Sequence, residues 1–130
     1  MKHCLIADDS AGVRKVGRRI VEGLSLRVSE AEDALQALTV CREDMPDAII
    51  LDSAMPGLDS VTFLKNLRGT PGGTHPKVLL CATDNDVGQI ARAMHAGANA
   101  YMLKPFDREL VTAKLEDVGV IRRAAPSDAA

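Results

Sequence analysis

Five short segments of the chain have the residue pattern of β-strands. Four of them are almost continuously apolar and too short for helices, which is typical of strands buried on both faces of a parallel sheet; they are residues 4–7, 48–51, 78–82 and 100–103. In the remaining segment, which is the second along the chain, Leu26 and Val28 alternate with polar residues, as in a half-covered strand.

Each of these segments is followed by one in which apolar residues recur at the spacing of a helix packed on one face. The residues with this spacing are Val13, Val16, Ile20, Val21 and Leu24; Ala34, Leu35, Ala37, Leu38 and Cys41; Val61, Phe63, Leu64 and Leu67; Val87, Ile90, Ala91 and Met94; and Leu110, Val111, Leu115 and Val118. We expect Gly23 and Gly97 to end helices and Asp107 to cap one. Five strands alternating with helices predict an α/β fold, a doubly wound parallel sheet covered on both faces.

Composition narrows the function classes. The chain has 130 residues, 46% of them hydrophobic, and a formal net charge of −2, so we expect one globular domain and no nucleic-acid partner. No apolar run has the length of a membrane span or a signal peptide, and the three cysteines lack the CxxC spacing of metal sites. We expect no membrane insertion, reduced buried thiols, a cytoplasmic location and a disordered tail over residues 124–130.

Polar and charged residues collect where the predicted strands end. Asp8 and Asp9 follow the first strand, Asp52 the third, Thr83 the fourth and Lys104 the fifth. Ligands of open parallel sheets bind at this edge, and carboxylates brought close together need a cation to relieve their repulsion. Mg²⁺ suits a site with few protein oxygen ligands, and an aspartate can accept a phosphoryl group.

These motifs together resemble the receiver domain of two-component response regulators. The resemblance is carried by the Asp8-Asp9 pair, by Asp52 followed by Met55-Pro56, by Thr83, and by residues 101–106, and it covers residues 2 to 121. Within the family the chain is most similar to single-domain, chemotaxis-type (CheY-like) regulators. The resemblance implies a flavodoxin-like five-stranded sheet of order 2-1-3-4-5 with five helices, a receiver domain over residues 1–123, and a cis peptide bond before Pro105.

The resemblance also implies a role for each motif residue. Asp52 corresponds to the phosphoacceptor, and the implied Mg²⁺ ligands are Asp8, Asp9, Asp52 and the backbone carbonyl of Ala54. Thr83 and Tyr101 correspond to a switch pair, and Lys104 to the lysine that binds the phosphoryl group.

The family's activity implies the partners. A histidine kinase would donate the phosphoryl group, and a protein such as a flagellar motor switch protein would bind the switched face. The protein would act as a stand-alone monomer whose only catalysis is its own phosphotransfer and dephosphorylation.

Three positions depart from the family pattern. Ala54 replaces a common polar residue, Asp84 replaces a small residue beside Thr83, and Ser60 stands where glycine is common. The first two leave the lifetime of the phosphoryl group open. Ser60 indicates either a different turn or a serine cap for the third helix.

Other functions remain as alternatives. An aspartyl-phosphate hydrolase would also use carboxylates after strands, but its Asp-x-Asp arrangement is absent here. A cyclic-dinucleotide effector would use Arg122-Arg123 or Arg18-Arg19, although arginines after a helix commonly just complement its dipole. A phosphate sink, which takes up phosphoryl groups without passing on a signal, would have the same site as a signalling receiver domain. The Gly72-Gly73 pair lacks the ending of a P-loop, and the three histidines lack ligand spacing.

Overall fold

The predicted alternation of strands and helices is present in the computed structural model, which describes residues 1–83 and 87–123. The strands are β1 (His3–Ala7), β2 (Arg27–Ala31), β3 (Ala48–Asp52), β4 (Lys77–Ala82) and β5 (Ala100–Leu103). The helices are α1 (Ala11–Gly23), α2 (Ala34–Glu43), α3 (Ser60–Gly69), α4 (Val87–Ala96) and α5 (Arg108–Asp117).

The five strands form one parallel sheet of order β2-β1-β3-β4-β5, which confirms the flavodoxin-like fold. The register aligns the carboxyl ends of the strands: Ala7 lies opposite both Ala31 and Leu51, and Ala82 lies opposite Leu103. The residues that follow β1, β4 and β5 therefore emerge at the same edge as the last residue of β3.

The core has two layers because parallel strands alternate their side chains between two covered faces. On one face α2, α3 and α4 cover the sheet around the fully buried Phe63. On the other face α1 and α5 cover it through Val21, Val111 and Leu115. The buried strands β1 and β3 are apolar throughout, except for His3 and Asp52 at their outer ends.

Three large apolar residues of the helical pattern do not join this core. The side chains of Val16, Leu35 and Val87 are 49%, 60% and 68% exposed, because each lies outside the face of its helix that packs on the sheet. In α1 the buried position next to Val16 is Gly17, where a Cβ atom would lie only 3.0 Å from Cδ1 of Ile6.

Side-chain caps define where the helices begin. Asp107 caps α5 as predicted, accepting a hydrogen bond from the Leu110 amide. Of the two alternatives for Ser60, the serine cap of α3 is wrong: Asp59 is the cap, accepting from the Thr62 amide at 2.8 Å, and Ser60 is the buried first residue of the helix. Helix α1 ends at Gly23 as expected, but the left-handed residue beyond it is Ser25.

Arg68 holds together the loops at the other end of α3. Its guanidinium donates hydrogen bonds to the carbonyl oxygens of Gly73, Pro76 and Gly97, at 2.9, 2.8 and 2.6 Å. Burial lowers the pKa of Arg68, and the ring of carbonyl acceptors compensates the desolvated charge. The α3–β4 and α4–β5 connections are thereby tied to one side chain.

No helix in residues 1–83 and 87–123 combines the length and the apolar character needed to cross a membrane. The three cysteines are buried and unpaired, as predicted. The proposed tail at 124–130 and Asp84 lie outside the described residues.

Candidate functional site

The aligned strand ends bring three carboxylates together. Asp8 directly follows β1, Asp9 comes next, and Asp52 is the last residue of the neighbouring β3. One oxygen from each of the three lies within 4.8 Å of the others. Asp8 and Asp52 are buried, whereas Asp9 is exposed, so the cluster opens to solvent on one side.

Lys104 bridges the two buried carboxylates. Its Nζ lies 2.6 Å from Oδ2 of Asp8 and 3.3 Å from Oδ1 of Asp52. The Lys104 amide donates to the Ala82 carbonyl, which continues the β4–β5 pairing and aims the lysine across β4 toward β3. Burial lowers the pKa of Lys104, but its hydrogen bond with Asp8 and the charges of both carboxylates outweigh burial and raise the pKa overall. The lysine is therefore held as an ammonium ion.

The environment of Asp52 disfavours its anionic form. Burial and the negative charge of Asp8 raise its pKa, while Lys104 and the Ala54 amide, 3.4 Å from Oδ1, oppose the shift. One lysine cannot compensate three carboxylates, and the remaining negative charge calls for a cation. The sequence-predicted acidic site is therefore assembled by the fold.

The loop that carries Asp8 is held by residues that the sequence analysis did not single out. The Ser10 amide donates to Oδ1 of Asp8, and Arg14 donates from Nη1 to the Asp8 carbonyl at 2.7 Å. Arg14 also contacts Glu30 of β2, which in turn binds Arg18. No short motif signals these contacts, because they depend on how α1 packs beside β2.

The donor set fits Mg²⁺. Three carboxylates with oxygens within 4.8 Å of one another provide the hard oxygen ligands that this ion prefers, and the exposed side at Asp9 leaves room for water or a phosphoryl oxygen. When bound, Mg²⁺ would screen the carboxylates and bind an oxygen of an incoming phosphoryl group.

Thr83 and Tyr101, the two residues of the predicted switch pair, have different surroundings. Thr83 follows β4, is exposed and lines a groove together with Lys104. Tyr101 lies in β5, opposite Leu80, and its side chain points outward with 41% exposure. The Nζ of Lys114 lies 5.7 Å from the centre of the Tyr101 ring, a cation–π contact on the outer surface. Thr83 thus shares a groove with Lys104 of the site, whereas Tyr101 faces solvent.

Comparison with known proteins identifies the family. The family model described as the response regulator receiver domain matches residues 4–116. The chain belongs to this family. Receiver domains are phosphoacceptor signalling domains that bind Mg²⁺ in an acidic site and accept phosphoryl groups from histidine kinases.

Named relatives and solved structures agree with this assignment. Response regulator MprA of Mycobacterium tuberculosis is 37% identical over 126 residues, covering 97% of this chain and 53% of that protein. The structure of the chemotaxis response regulator CheY4 of Vibrio cholerae has 25% identity and a TM-score of 0.85, covering 91% of this chain and 98% of that one. The receiver domain of sensor histidine kinase PA1611 from Pseudomonas aeruginosa, 24% identical with a TM-score of 0.81 over 89% of this chain and 95% of that one, was solved with a magnesium ion in its active-site cleft.

The receiver domain spans about half the length of the curated relatives that it matches. Those relatives are named MprA, and the chemotaxis regulator appears among the solved structures, so the comparisons do not confirm a chemotaxis role.

Two of the four arginines of the cyclic-dinucleotide alternative pair with carboxylates in this receiver domain. Arg18 contacts Glu30 at 2.6 Å and Glu22 at 3.1 Å, and Arg123 contacts Asp117 at 2.6 Å in the last turn of α5. The pairing of Arg123 agrees with the alternative that arginines after a helix complement the dipole at its carboxyl end. These contacts favour no cyclic-dinucleotide site.

Proposed function

We propose that this receiver domain accepts a phosphoryl group on Asp52 from a histidine kinase in a Mg²⁺-dependent reaction. The observation that supports it is the placement of Asp52 at the end of a central strand, 3.3 Å from the ammonium of Lys104 and next to two further carboxylates. Asp8, Asp9, Asp52 and the carbonyl of Ala54 are the proposed Mg²⁺ ligands.

Each side chain has a role in this transfer. A carboxylate oxygen of Asp52 forms a bond to the donor's phosphorus while the bond between phosphorus and the donor nitrogen breaks, and the bonding electron pair leaves with that nitrogen. Lys104 moves its ammonium from the Asp8 carboxylate toward a phosphoryl oxygen and so stabilises charge in the transition state. The Thr83 hydroxyl donates a hydrogen bond to another phosphoryl oxygen.

The same residues form the proposed switch. A phosphoryl group on Asp52 that attracts Lys104 and Thr83 would pull the ends of β4 and β5 toward β3, and Tyr101 lies on β5 within this rearranged unit. A change in contacts between two conformations shifts their populations, as phosphorylation switches require. The outward Tyr101 ring in contact with Lys114 is the arrangement of the unphosphorylated protein in this proposal.

The donor's approach is supported by an apolar groove beside the site. This groove has a volume of about 540 Å³ and is lined by Gly12, Val13, Val16, Thr83, Lys104, Pro105 and Phe106. Exposed apolar surface next to a reactive carboxylate suits a protein donor better than a small hydrophilic one. The exposed Val16, which does not join the core, contributes apolar surface to this groove in the proposal.

The downstream partner in this proposal is a protein that binds the face of α4, β5 and α5. The likeness to the chemotaxis regulator CheY4 supports a chemotaxis-type partner, such as a flagellar motor switch protein. The three unpaired buried cysteines support a reducing, cytoplasmic location.

Chemical phosphorylation tests the proposal. Incubation with acetyl phosphate and Mg²⁺ is expected to add the mass of one phosphoryl group, and the product should be labile to alkali, as acyl phosphates are. Intact-protein mass spectrometry measures this, with EDTA in a parallel sample that should remain unlabelled. Equal labelling with and without Mg²⁺ would contradict the proposal.

Removing two of the three carboxylates is expected to remove the cation site. The double variant Asp8→Asn/Asp9→Asn should bind Mg²⁺ more than about 100-fold more weakly, because neutral amides are poorer ligands and the excess negative charge is gone. Calorimetric titration with Mg²⁺ measures this.

A matched control for the Mg²⁺ titration changes the charge equally. Asp44→Asn/Asp117→Asn replaces two exposed carboxylates at the ends of α2 and α5, at the opposite edge of the sheet from the acidic cluster, where they pair with Arg27 and Arg123. If both double variants lost affinity to the same extent, Asp8 and Asp9 would not be ligands.

A further inference from the structure

A groove between α3 and α4 lies on the sheet face opposite α1 and α5. Its larger part has a volume of about 600 Å³ and is lined by Val61, Lys65, Ala91, Arg92, His95 and Ala96. A second part of about 360 Å³ shares Val61 and Arg92 and extends to the first turn of α3. We call the two parts together the α3–α4 groove.

The floor of the α3–α4 groove is small and apolar. Val61 and Ala96 are half-buried, and Ala91 is exposed between them. Short side chains at these positions let another backbone approach the two helices closely. A concave apolar strip between two helices accepts an amphipathic helix, as in helix-in-groove recognition.

The rim of the groove is basic. Lys65, Arg92 and His95 are exposed, and among the described residues lining the groove the only acidic one is Asp59, the cap of α3. No ion pair joins Lys65, Arg92 or His95 to a carboxylate within residues 1–83 and 87–123. On α1, by contrast, Arg14 and Arg18 share Glu30. Hydrogen bonds from Thr62 and, to a lesser extent, the charge of Lys65 lower the pKa of Asp59, and the described rim still carries more positive than negative charge around an apolar floor.

The α4 side of the groove is connected to the strand that carries Asp52. Gln89, which lines the groove, donates from Nε2 to the carbonyl of Ser53 at 3.1 Å. An occupant of the groove would thus contact a side chain that touches the residue after Asp52.

We infer that the α3–α4 groove docks an amphipathic helical segment of a partner protein through an acidic flank. The apolar side of the segment covers Val61, Ala91 and Ala96, and its carboxylates pair with Lys65 and Arg92. Charge complementarity decides the occupant, because a basic or purely apolar segment would leave the rim cations repelled or unpaired. The docking needs no phosphorylation, so its test is independent of the proposed function.

A synthetic peptide pair tests the docking. The probe is a helix-forming peptide of about 14 residues with Leu and Ala on one face and Glu on both flanks; its partner has Lys in place of every Glu. With ¹⁵N-labelled full-length protein, the acidic peptide is expected to shift the amide signals of Val61, Ala91 and Ala96, and the basic peptide is expected to leave them unchanged. Binding should weaken as salt rises from about 50 to about 300 mM.

Charge-reversal variants make the test specific. Lys65→Glu/Arg92→Glu is expected to bind the acidic peptide roughly tenfold more weakly, from the loss of two exposed ion pairs. The control Lys15→Glu/Arg19→Glu makes the same charge change on the exposed side of α1, across the sheet, and should bind like the unmodified protein. Circular dichroism and thermal unfolding verify that both variants are folded.

Four results would overturn the inference. They are equal binding of the acidic peptide to both double variants, shifts centred outside α3 and α4, groove shifts produced by inorganic pyrophosphate but not by the peptide, and sedimentation that shows the groove closed by a second copy of the chain.

Discussion

Asp52→Asn is expected to abolish phosphorylation by acetyl phosphate. The amide lacks the nucleophilic carboxylate oxygen, and Asp52 is the carboxylate that ends the central strand β3 beside the ammonium of Lys104. Intact-protein mass spectrometry is expected to show the unmodified mass under conditions that label the parent protein.

Stability measurements show whether the Asp52→Asn variant is merely unfolded. Burial and the charge of Asp8 raise the pKa of Asp52, so its ionised form costs stability at every pH above that raised pKa. The neutral amide does not carry this cost, and the thermal midpoint at neutral pH should be unchanged or higher.

A second aspartate variant serves as the control for labelling. Asp117→Asn removes an exposed carboxylate that pairs with Arg123 at the far end of α5, and it should be labelled like the parent. If Asp52→Asn were still labelled while Asp117→Asn behaved normally, another residue would be the acceptor and the proposed function would need a different site.

Gly73→Ala is expected to have the largest effect on stability. An alanine Cβ would clash with the carbonyl oxygen of Leu67 and lie 2.8 Å from that of Thr70, both backbone atoms that cannot rotate away. The loop would have to move, and the hydrogen bond from Arg68 to the Gly73 carbonyl would break. We expect the free energy of unfolding in urea to fall by about 2 to 3 kcal/mol.

Gly69→Ala is the matched control, four residues earlier in the chain. An added Cβ there meets no atom within 4 Å, and the residue ends α3. Alanine should leave stability unchanged or raise it by about 0.5 to 1 kcal/mol, since it restricts the unfolded chain. If the two variants were equally stable, close packing would not be the reason for glycine at position 73.

The predictions from sequence succeeded where a local pattern has one structural solution. Continuous apolar runs at 48–51 and 78–82 predicted buried strands, and both are central strands of the sheet. The cap at Asp107 was also predicted, because a short polar side chain before a helical segment satisfies its free amides. At the start of α3 two adjacent cap residues competed, and the choice between Asp59 and Ser60 was made by burial of Ser60 against the core side of the helix.

In the candidate site, too, some features could be predicted from the local sequence and others could not. Carboxylates at the ends of Cys4–Ala7 and 48–51 were recognisable because a parallel sheet gathers its strand ends at one edge. The contact of Lys104 with Asp8 joins residues 96 positions apart, and that of Arg14 with Glu30 depends on the packing of α1 beside β2. Neither contact produces a recognisable residue pattern in the sequence.

The sequence by itself determined the order of strands and helices, the face that each buries, and which chemical groups reach the edge where the strands end. These properties follow from the apolar period and from residues adjacent in the chain. Only the tertiary structure decided which cations are paired: Arg68 is surrounded by carbonyl oxygens and Lys104 by carboxylates, whereas Lys65 and Arg92 face solvent beside the α3–α4 groove. The physical reason is that the electrostatic energy of a charged side chain depends on its distance to the groups that folding brings near it. The local sequence does not encode those distances.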